Sequence, residues 1–311
     1  MTGYALMAAT TLAAVVWMAG LVYYDVAQQR RGAGWAALAL VTAFAILWGA
    51  LPAWPAAYLC TLALWAGSLA WWWTLKPSHR RDWSPAVAVL PRAERIGDRV
   101  TVLNLRSACY GPGGEAFMRH VTRRVSLARL QGADLILCSW GSTWICHPLV
   151  VFDFGVDGRI CFSVEVRYRR GQSYAWLPTL YRQQEMIYVA CDERDAVEQR
   201  VFAEVEETCR MFRLVAEPDE LREMFLEYVQ HMNEIFEQPR WYHGLTANCT
   251  TAIYRQRQGR IDWDWRWLLN GRMDEALYER GRFDDRFSLE HLQRTSEIND
   301  IARRAAKLSL T

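Results

Sequence analysis

The sequence predicts an α+β chain in which three N-terminal transmembrane helices precede a soluble domain built from an antiparallel sheet packed on helices. Three observations carry this. Blocks without a charged side chain run from Met1 to Tyr24 and from Gly32 to Leu75, the lengths of one and of two bilayer spans. In mid-chain, short β-branched and aromatic runs follow one another, two of them joined by the turn Gly155-Val156-Asp157-Gly158. Beyond them, residues 218–238 carry apolar side chains at helical spacing. With 311 residues, 52% hydrophobic content and a net charge of +2, the chain has room for one sizeable domain besides the apolar segment. Balanced charge and dispersed basic residues argue against nucleic acid as a partner.

The spans are expected at about 4–24, 33–51 and 55–74, with Leu51-Pro52-Ala53-Trp54-Pro55 as the turn between the last two. No basic region precedes the first, which favours a retained anchor over a cleaved leader. Trp71-Trp72-Trp73 reads as an interfacial belt, with Lys76, His79, Arg80 and Arg81 on the water side. Residues 76–100, broken by Pro85 and Pro91, read as a tether, and residues 101–311 as the domain. An odd number of spans puts Arg30-Arg31 and the Lys76 to Arg81 cluster on one side of the membrane. The positive-inside rule makes that side, and with it the domain, cytoplasmic.

Val100 to Leu105 is expected as a first strand, Cys109 to Gly114 as a loop, and the basic run around His120, Arg123 and Arg124 as either a solvated face or a contact with anionic head groups. Ala133 to Trp140 reads as a buried strand that leads through a Gly-Ser-Thr loop to His147. Leu149 to Phe154 and Arg159 to Arg167 form the hairpin. If its loop has an odd number of residues, positions of equal parity share a face and His147 and Glu165 project together; a two-residue turn separates them. Glu185 to Ala190 is another strand. Glu193-Arg194-Asp195 then opens a capped helix carrying Val197, Val201 and Val205 on one side, and residues 218–238 form a packing helix. The tail, with Trp263, Trp265 and Trp267, reads as an aromatic cover ending in a charged helix.

One cysteine stands where a chain would place it to react. Asn248 is a good N-cap, and residues 250–255 can continue as helix, so Cys249 falls in a first helical turn whose dipole favours the thiolate. Of the eight cysteines, all but Cys60 lie in the soluble part, without a CxxC pair or metal-like spacing, so no metal or cofactor is expected and their pairing stays open. No phosphate-binding glycine loop, HExxH or GxSxG occurs.

Ser139-Trp140-Gly141-Ser142, His147, Val151-Phe152-Asp153-Phe154, Phe162-Ser163-Val164-Glu165-Val166-Arg167, Gly171-Gln172-Ser173-Tyr174, Glu185-Met186-Ile187-Tyr188-Val189, Glu193-Arg194-Asp195 and the run from Trp241-Tyr242 to Asn248-Cys249-Thr250-Thr251 together resemble the Lnb N-terminal periplasmic domain family. The likeness covers roughly residues 76–258. It implies a circularly permuted papain-like fold of NlpC type, with Cys249 as nucleophile, His147 as general base and then acid, and Glu165 as the group that orients the imidazole. An oxyanion hole would use the Cys249 amide, with Tyr242 or Asn248 as a second donor. Family members imply transfer of an acyl chain from phospholipid to a lipoprotein amine through a thioester, with membrane lipid and lipoprotein as partners. They also imply a bacterial inner-membrane protein whose domain faces the periplasm, against the charge rule. The family's acyltransferase carries its membrane helices after this domain, whereas here they come first.

Two other readings stand beside this one. A hydrolase or amidase of the same fold would share nucleophile, base and oxyanion hole and differ only in the acceptor. A non-catalytic binding module of a membrane assembly would leave Cys249 buried and out of reach of His147.

Overall fold

The computed structural model describes residues 2–28, 31–50, 54–111, 116–172, 175–203, 205, 207–251, 264–267 and 269–309. The chain divides into two units. The first comprises Met1–Arg81, Ser173–Glu185 and Trp241–Gly244; the second comprises Asp82–Gln172, Met186–Arg240 and Leu245–Thr311.

In the first unit, helix α1 (Thr2–Leu21) continues through a π-helical turn, Val22–Val26, and α2 (Ala33–Ala50) and α3 (Trp54–Thr74) follow. Helices thus occupy all three expected stretches, but the three-span expectation is not supported. Among the described residues only Gly3–Val26, with a mean hydropathy of 2.0, is long and apolar enough to cross a membrane. The apolar stretch Ala33–Gly49 is shorter. In α3 the indoles of Trp65, Trp71, Trp72 and Trp73 dilute the aliphatic content, because tryptophan prefers an interface to hydrocarbon.

The unit also takes two segments that the sequence assigns to the domain, and polar contacts explain why. Asp25 is buried and accepts hydrogen bonds from Trp72 Nε1 (2.9 Å), Gln183 Nε2 (2.7 Å) and the Arg182 amide (3.4 Å). A carboxylate in such a place is tolerated only when it is this fully bonded. Glu185 accepts from the Ser78 amide (2.7 Å) and pairs with Arg81 (3.2 Å), while Trp241 Nε1 donates to the Leu75 carbonyl (3.2 Å).

The second unit is built on a sheet with strands β1 (Arg92–Ile96), β2 (Arg99–Arg106), β5 (His120–Ser126), β6 (Gly132–Ser139), β7 (His147–Asp153), β8 (Arg159–Arg167), β9 (Glu185–Cys191) and β10 (Thr208–Arg213). Their order is β1-β2-β9-β8-β7-β6-β10, with β5 also on β2, and β3 (Cys109–Tyr110) with β4 (Ala116–Phe117) forms a separate ribbon. The sheet is mixed rather than antiparallel throughout, because β2 and β9 run parallel where Arg106 meets Cys191. Residues 92–96 are a strand instead of tether; only Ala93 of β1 is buried, so charged Arg92, Glu94 and Arg95 mask it in the sequence.

Strands β6 to β9 are buried on both faces, which explains their nearly continuous apolar runs. Helix α6 (Pro218–Glu237) covers one face: its Phe225 and Tyr228 meet Phe152 and Phe162, ring centroids 5.2–5.9 Å apart. On the other face lie a short helix α4 (Pro85–Ala88) and α5 (Glu193–Val201), which pack Val87, Ala196, Val197 and Val201 against Leu149, Val151, Cys161 and Val189. Helix α5 ends before Val205, which is exposed and not on the packed side expected for it. In the tail, α7 (Met273–Glu279), α8 (Leu289–Thr295) and α9 (Asn299–Ser309) follow, with Trp267 buried and Trp265 half exposed; Trp263 lies outside the described residues.

Helix α5 is held at its first turn. Asp192 caps it by accepting from the Asp195 amide (2.9 Å), and Asp195, fully buried, receives Arg106 through Nε (3.0 and 3.1 Å) and Nη2 (2.8 Å). The Ala108 amide gives it a further bond of 2.7 Å. The Glu-Arg-Asp signature is therefore a clamp between β2 and α5.

Candidate functional site

The β7–β8 register runs from Leu149 opposite Ser163 to Asp153 opposite Arg159, so the connecting loop holds five residues, 154–158. The number is odd, and continuing the pairing sets His147 opposite Glu165. Gly155 (φ 57°) and Gly158 (φ 92°) take left-handed conformations that let the loop close. His147, Ser163 and Glu165 all fall on the α5 face, away from the phenylalanine core, because side chains alternate along a strand.

The three form a chain. Ser163 Oγ lies 2.7 Å from His147 Nε2 and 2.9 Å from Glu165 Oε1, whereas His147 and Glu165 themselves are 3.9 Å apart. Glu165 therefore reaches the imidazole through Ser163 and not directly. A carboxylate only accepts, so Ser163 donates to Glu165 and accepts from Nε2–H, which leaves the lone pair of His147 on Nδ1. Arg200, projecting from α5, donates to Glu165 Oε1 (2.9 Å) and to the Ala196 carbonyl (3.0 Å).

Burial pushes the His147 imidazole down to about 4, helped by the Arg200 guanidinium and opposed by Glu165. Burial alone would raise Glu165, but Arg200, Arg106 and His147 outweigh it and hold the carboxyl at about 2. At neutral pH the site thus contains a neutral imidazole, the form able to take a proton, beside an ionised carboxylate.

Both shifts have the same consequence for stability. In each case the unfolded chain binds the proton more readily than the folded one, so stability is complete above the unfolded value and is lost as pH falls. His147 acts between its ordinary value of 6.5 and about 4, and Glu165 between 4.5 and about 2. Thermal unfolding is expected to show a falling midpoint from pH 6.5 downward, on the order of 3 kcal/mol by pH 4 from the histidine. In His147→Gln the loss above pH 5 should disappear; persistence of the full slope there would show that another group sets it.

Cys249 opens a helical turn at residues 249–251. Asn248 caps it: its Oδ1 accepts from the amides of Thr250 (3.1 Å) and Thr251 (2.8 Å), and its own amide donates to Thr251 Oγ1 (2.8 Å). This reciprocal arrangement fixes the turn in the manner of a capping box. The further helix that was to supply a dipole falls in residues 252–263, outside the described residues. Cys249 is partly exposed, in contrast to its neighbour Cys146, which is buried and donates to the Asn270 carbonyl (3.0 Å). The Cys146 thiol is pushed well above its ordinary range, first by burial and then by Cys249. Of these two cysteines, only Cys249 combines access with a capped turn.

Asn270 joins the two halves of the site. Its Oδ1 accepts from the Cys146 amide (2.8 Å), and its Nδ2 donates to the Cys146 carbonyl (2.7 Å) and to Thr250 Oγ1 (2.5 Å). The residue before His147 is thereby tied to the residue after Cys249. Next to it, a Cβ at Gly271 would stand 2.4 Å from the Thr143 carbonyl oxygen, so the tail approaches the loop before His147 as only glycine allows.

Of the residues singled out in the sequence, His147 and Glu165 meet through Ser163 and Cys249 follows the Asn248 cap, while Ser163, Arg200 and Asn270 were not assigned a role there. Ser163 carried a signal, since it alternates with Glu165 on one strand face. Tyr242, expected as a second oxyanion donor, belongs to the first unit, where its amide donates to the Gln184 carbonyl (3.0 Å). Asn248 commits its side-chain oxygen to the cap. Among the described residues no group of three or more His, Cys, Asp or Glu side chains is arranged to hold a metal ion.

No curated protein and no solved structure matches the chain. A family model does match, over a stretch that holds His147, Ser163, Glu165, Arg200 and Cys249. That family is described as a periplasmic domain, against the cytoplasmic side that the loop charges favour. Over residues 116–262, the chain matches the family model of the Lnb N-terminal periplasmic domain.

Proposed function

We propose that the protein is a membrane-anchored cysteine acyltransferase of the bacterial inner membrane, with a site of permuted papain-like design facing the periplasm. Two observations support this reading: the hydrogen-bonded chain from His147 through Ser163 to Glu165, and the Asn270 bridge that ties Cys146, the residue before His147, to Thr250, the residue after Cys249. The periplasmic family description and the apolar helix Gly3–Val26 fit a chain of this kind.

In this reading His147 Nδ1 takes the thiol proton of Cys249, and the thiolate attacks the ester carbonyl of a phospholipid. The tetrahedral oxyanion is met by the Cys249 amide. Collapse expels the lysolipid alkoxide, protonated by His147, and leaves a thioester. An amine, such as that of a lipoprotein N-terminus, attacks the thioester while His147 accepts its proton, and amide formation restores the thiol. Glu165 stabilises the imidazolium formed twice in the cycle, acting through Ser163.

Intact-mass and peptide mass spectrometry of protein incubated with phosphatidylethanolamine vesicles tests the reading. Acyl mass should appear on Cys249 and be released by hydroxylamine at neutral pH, as thioesters are. In His147→Ala it should be absent. A wild-type protein that never carries acyl mass at Cys249, or carries it equally without His147, would overturn the proposal. The acyl chain recovered names the donor, and turnover with an added amine separates a transferase from a hydrolase.

A further inference from the structure

Cys138 on β6 and Cys209 on β10 are directly paired, both fully buried, with their Sγ atoms 3.1 Å apart. The backbone tells which kind of pair this is. The Cys209 amide donates to Asn299 Oδ1 (2.8 Å) and its carbonyl accepts from the Ile298 amide (3.0 Å), so neither group bonds to β6. The Met211 amide, two residues on, likewise donates to the Ser296 carbonyl (2.8 Å). In an antiparallel ladder such residues occupy non-hydrogen-bonded positions, where facing Cα atoms stand about 4.5 Å apart and side chains come closest. That separation lies within the range a disulfide spans without backbone movement, roughly 4.4–6.8 Å between Cα atoms.

We propose that Cys138 and Cys209 form a covalent modification site, oxidised in the mature protein to a cross-strand disulfide that staples β10 onto β6. The oxidant is a dithiol–disulfide exchange protein of an oxidising compartment, consistent with the periplasmic family description. The Cys209 thiolate attacks the oxidant's disulfide, forming a mixed disulfide and releasing one oxidant thiol. The Cys138 thiolate then attacks Cys209 Sγ, closing the bond and releasing the second. Two thiols of this chain lose two electrons and two protons, and the oxidant's disulfide becomes a dithiol.

Place in the sheet makes the reaction accessible. β10 is the last strand in the order, and its outer side is covered by the residues that lead into α9. Exchange occurs when this edge is open, during folding or local fraying, and docking of β10 then buries the bond. The staple also bears on the candidate site, since Cys138 is the residue of β6 that faces His147 in the β6–β7 register. The inference stands on the strand pairing, the approach of the two Sγ atoms and an oxidising compartment, and does not require acyl transfer.

Full-length protein in membranes prepared without reductant, quenched in acid and alkylated with N-ethylmaleimide in denaturant, is digested and analysed by mass spectrometry. The expected result is a linked peptide pair containing Cys138 and Cys209, free of maleimide, which separates on reduction. Recovery of both residues carrying maleimide in most molecules, or of either one linked to another cysteine, would overturn the proposal. On the detergent-solubilised protein, dithiothreitol should lower the unfolding midpoint by roughly 5–15 °C. In Cys138→Ala/Cys209→Ala that reductant shift should vanish; a shift retained in the double variant counts against the staple.

Discussion

Cys249→Ala and His147→Ala are each expected to lower the rate of acyl transfer by about 10³-fold or more, and the double variant to be no slower than the worse single one. The reason is that the two act as one unit. Without the imidazole the thiol is not converted to thiolate at the moment of attack, and without the thiol the imidazole has nothing to activate. Free energies of independent groups would add; those of a nucleophile and its base do not. Ser163→Ala belongs in the same series, because it breaks the link to Glu165 while leaving both reacting groups in place, and a smaller loss of about 10-fold to 10²-fold is expected. Rates measured with a fluorescent phospholipid, alongside circular dichroism to show that each variant folds, decide the matter. A double variant whose loss is the product of the single losses would separate His147 from the chemistry of Cys249.

The second large effect concerns Arg200. Its guanidinium and the Glu165 carboxylate are both largely withdrawn from water, with side-chain exposures of 7% and 13%. Removing one partner of such a pair strands the other as a buried charge, at a cost of about 3–5 kcal/mol. Arg200→Met should therefore lower the unfolding midpoint by roughly 6–20 °C for a domain of this size. Arg106 also acts on Glu165, which favours the lower end. Adding Glu165→Gln removes the stranded charge, so the double variant should regain a good part of the stability while its acyl transfer stays lowered by about the factor expected of Ser163→Ala. If Arg200→Met unfolds within about 2 °C of the wild type, the pair contributes little and Glu165 is held by its other neighbours.

Much of this arrangement could be read from the chain. The hairpin was visible because β7 and β8 are apolar runs around a glycine turn, and α6 because its buried residues repeat at three and four. Parity alone then placed His147 and Glu165 on one face, conditional on the loop length. What escaped had physical causes. Asn270 is 124 residues from Cys146, and nothing local marks an amide that will pair with a distant backbone. Arg200 reads as an ordinary solvated helix residue until α5 is seen to lie on the sheet with that side inward. The spans were overcounted because absence of charge was taken as apolarity, while α3 is rich in indole. β1 was invisible because an edge strand protects itself with charge.

The stretch recognisable as a family domain and the stretch whose side chains complete its fold have different lengths. Asn270, which ties Cys146 to Thr250, lies beyond the matched residues 116–262, as do Arg106 at one end and Asn299 at the other. A fragment cut at the family boundaries would lose β1 and β2, leave Asp195 as a buried carboxylate without its guanidinium, and open the end of β10. Such a fragment would keep every catalytic candidate and none of the outer clamps. The unit to express, label or crystallise runs past both ends of the match, keeping Ser78 and Arg81 as the partners of buried Glu185 and continuing through α9, so that segments outside the recognisable middle complete its charge pairs.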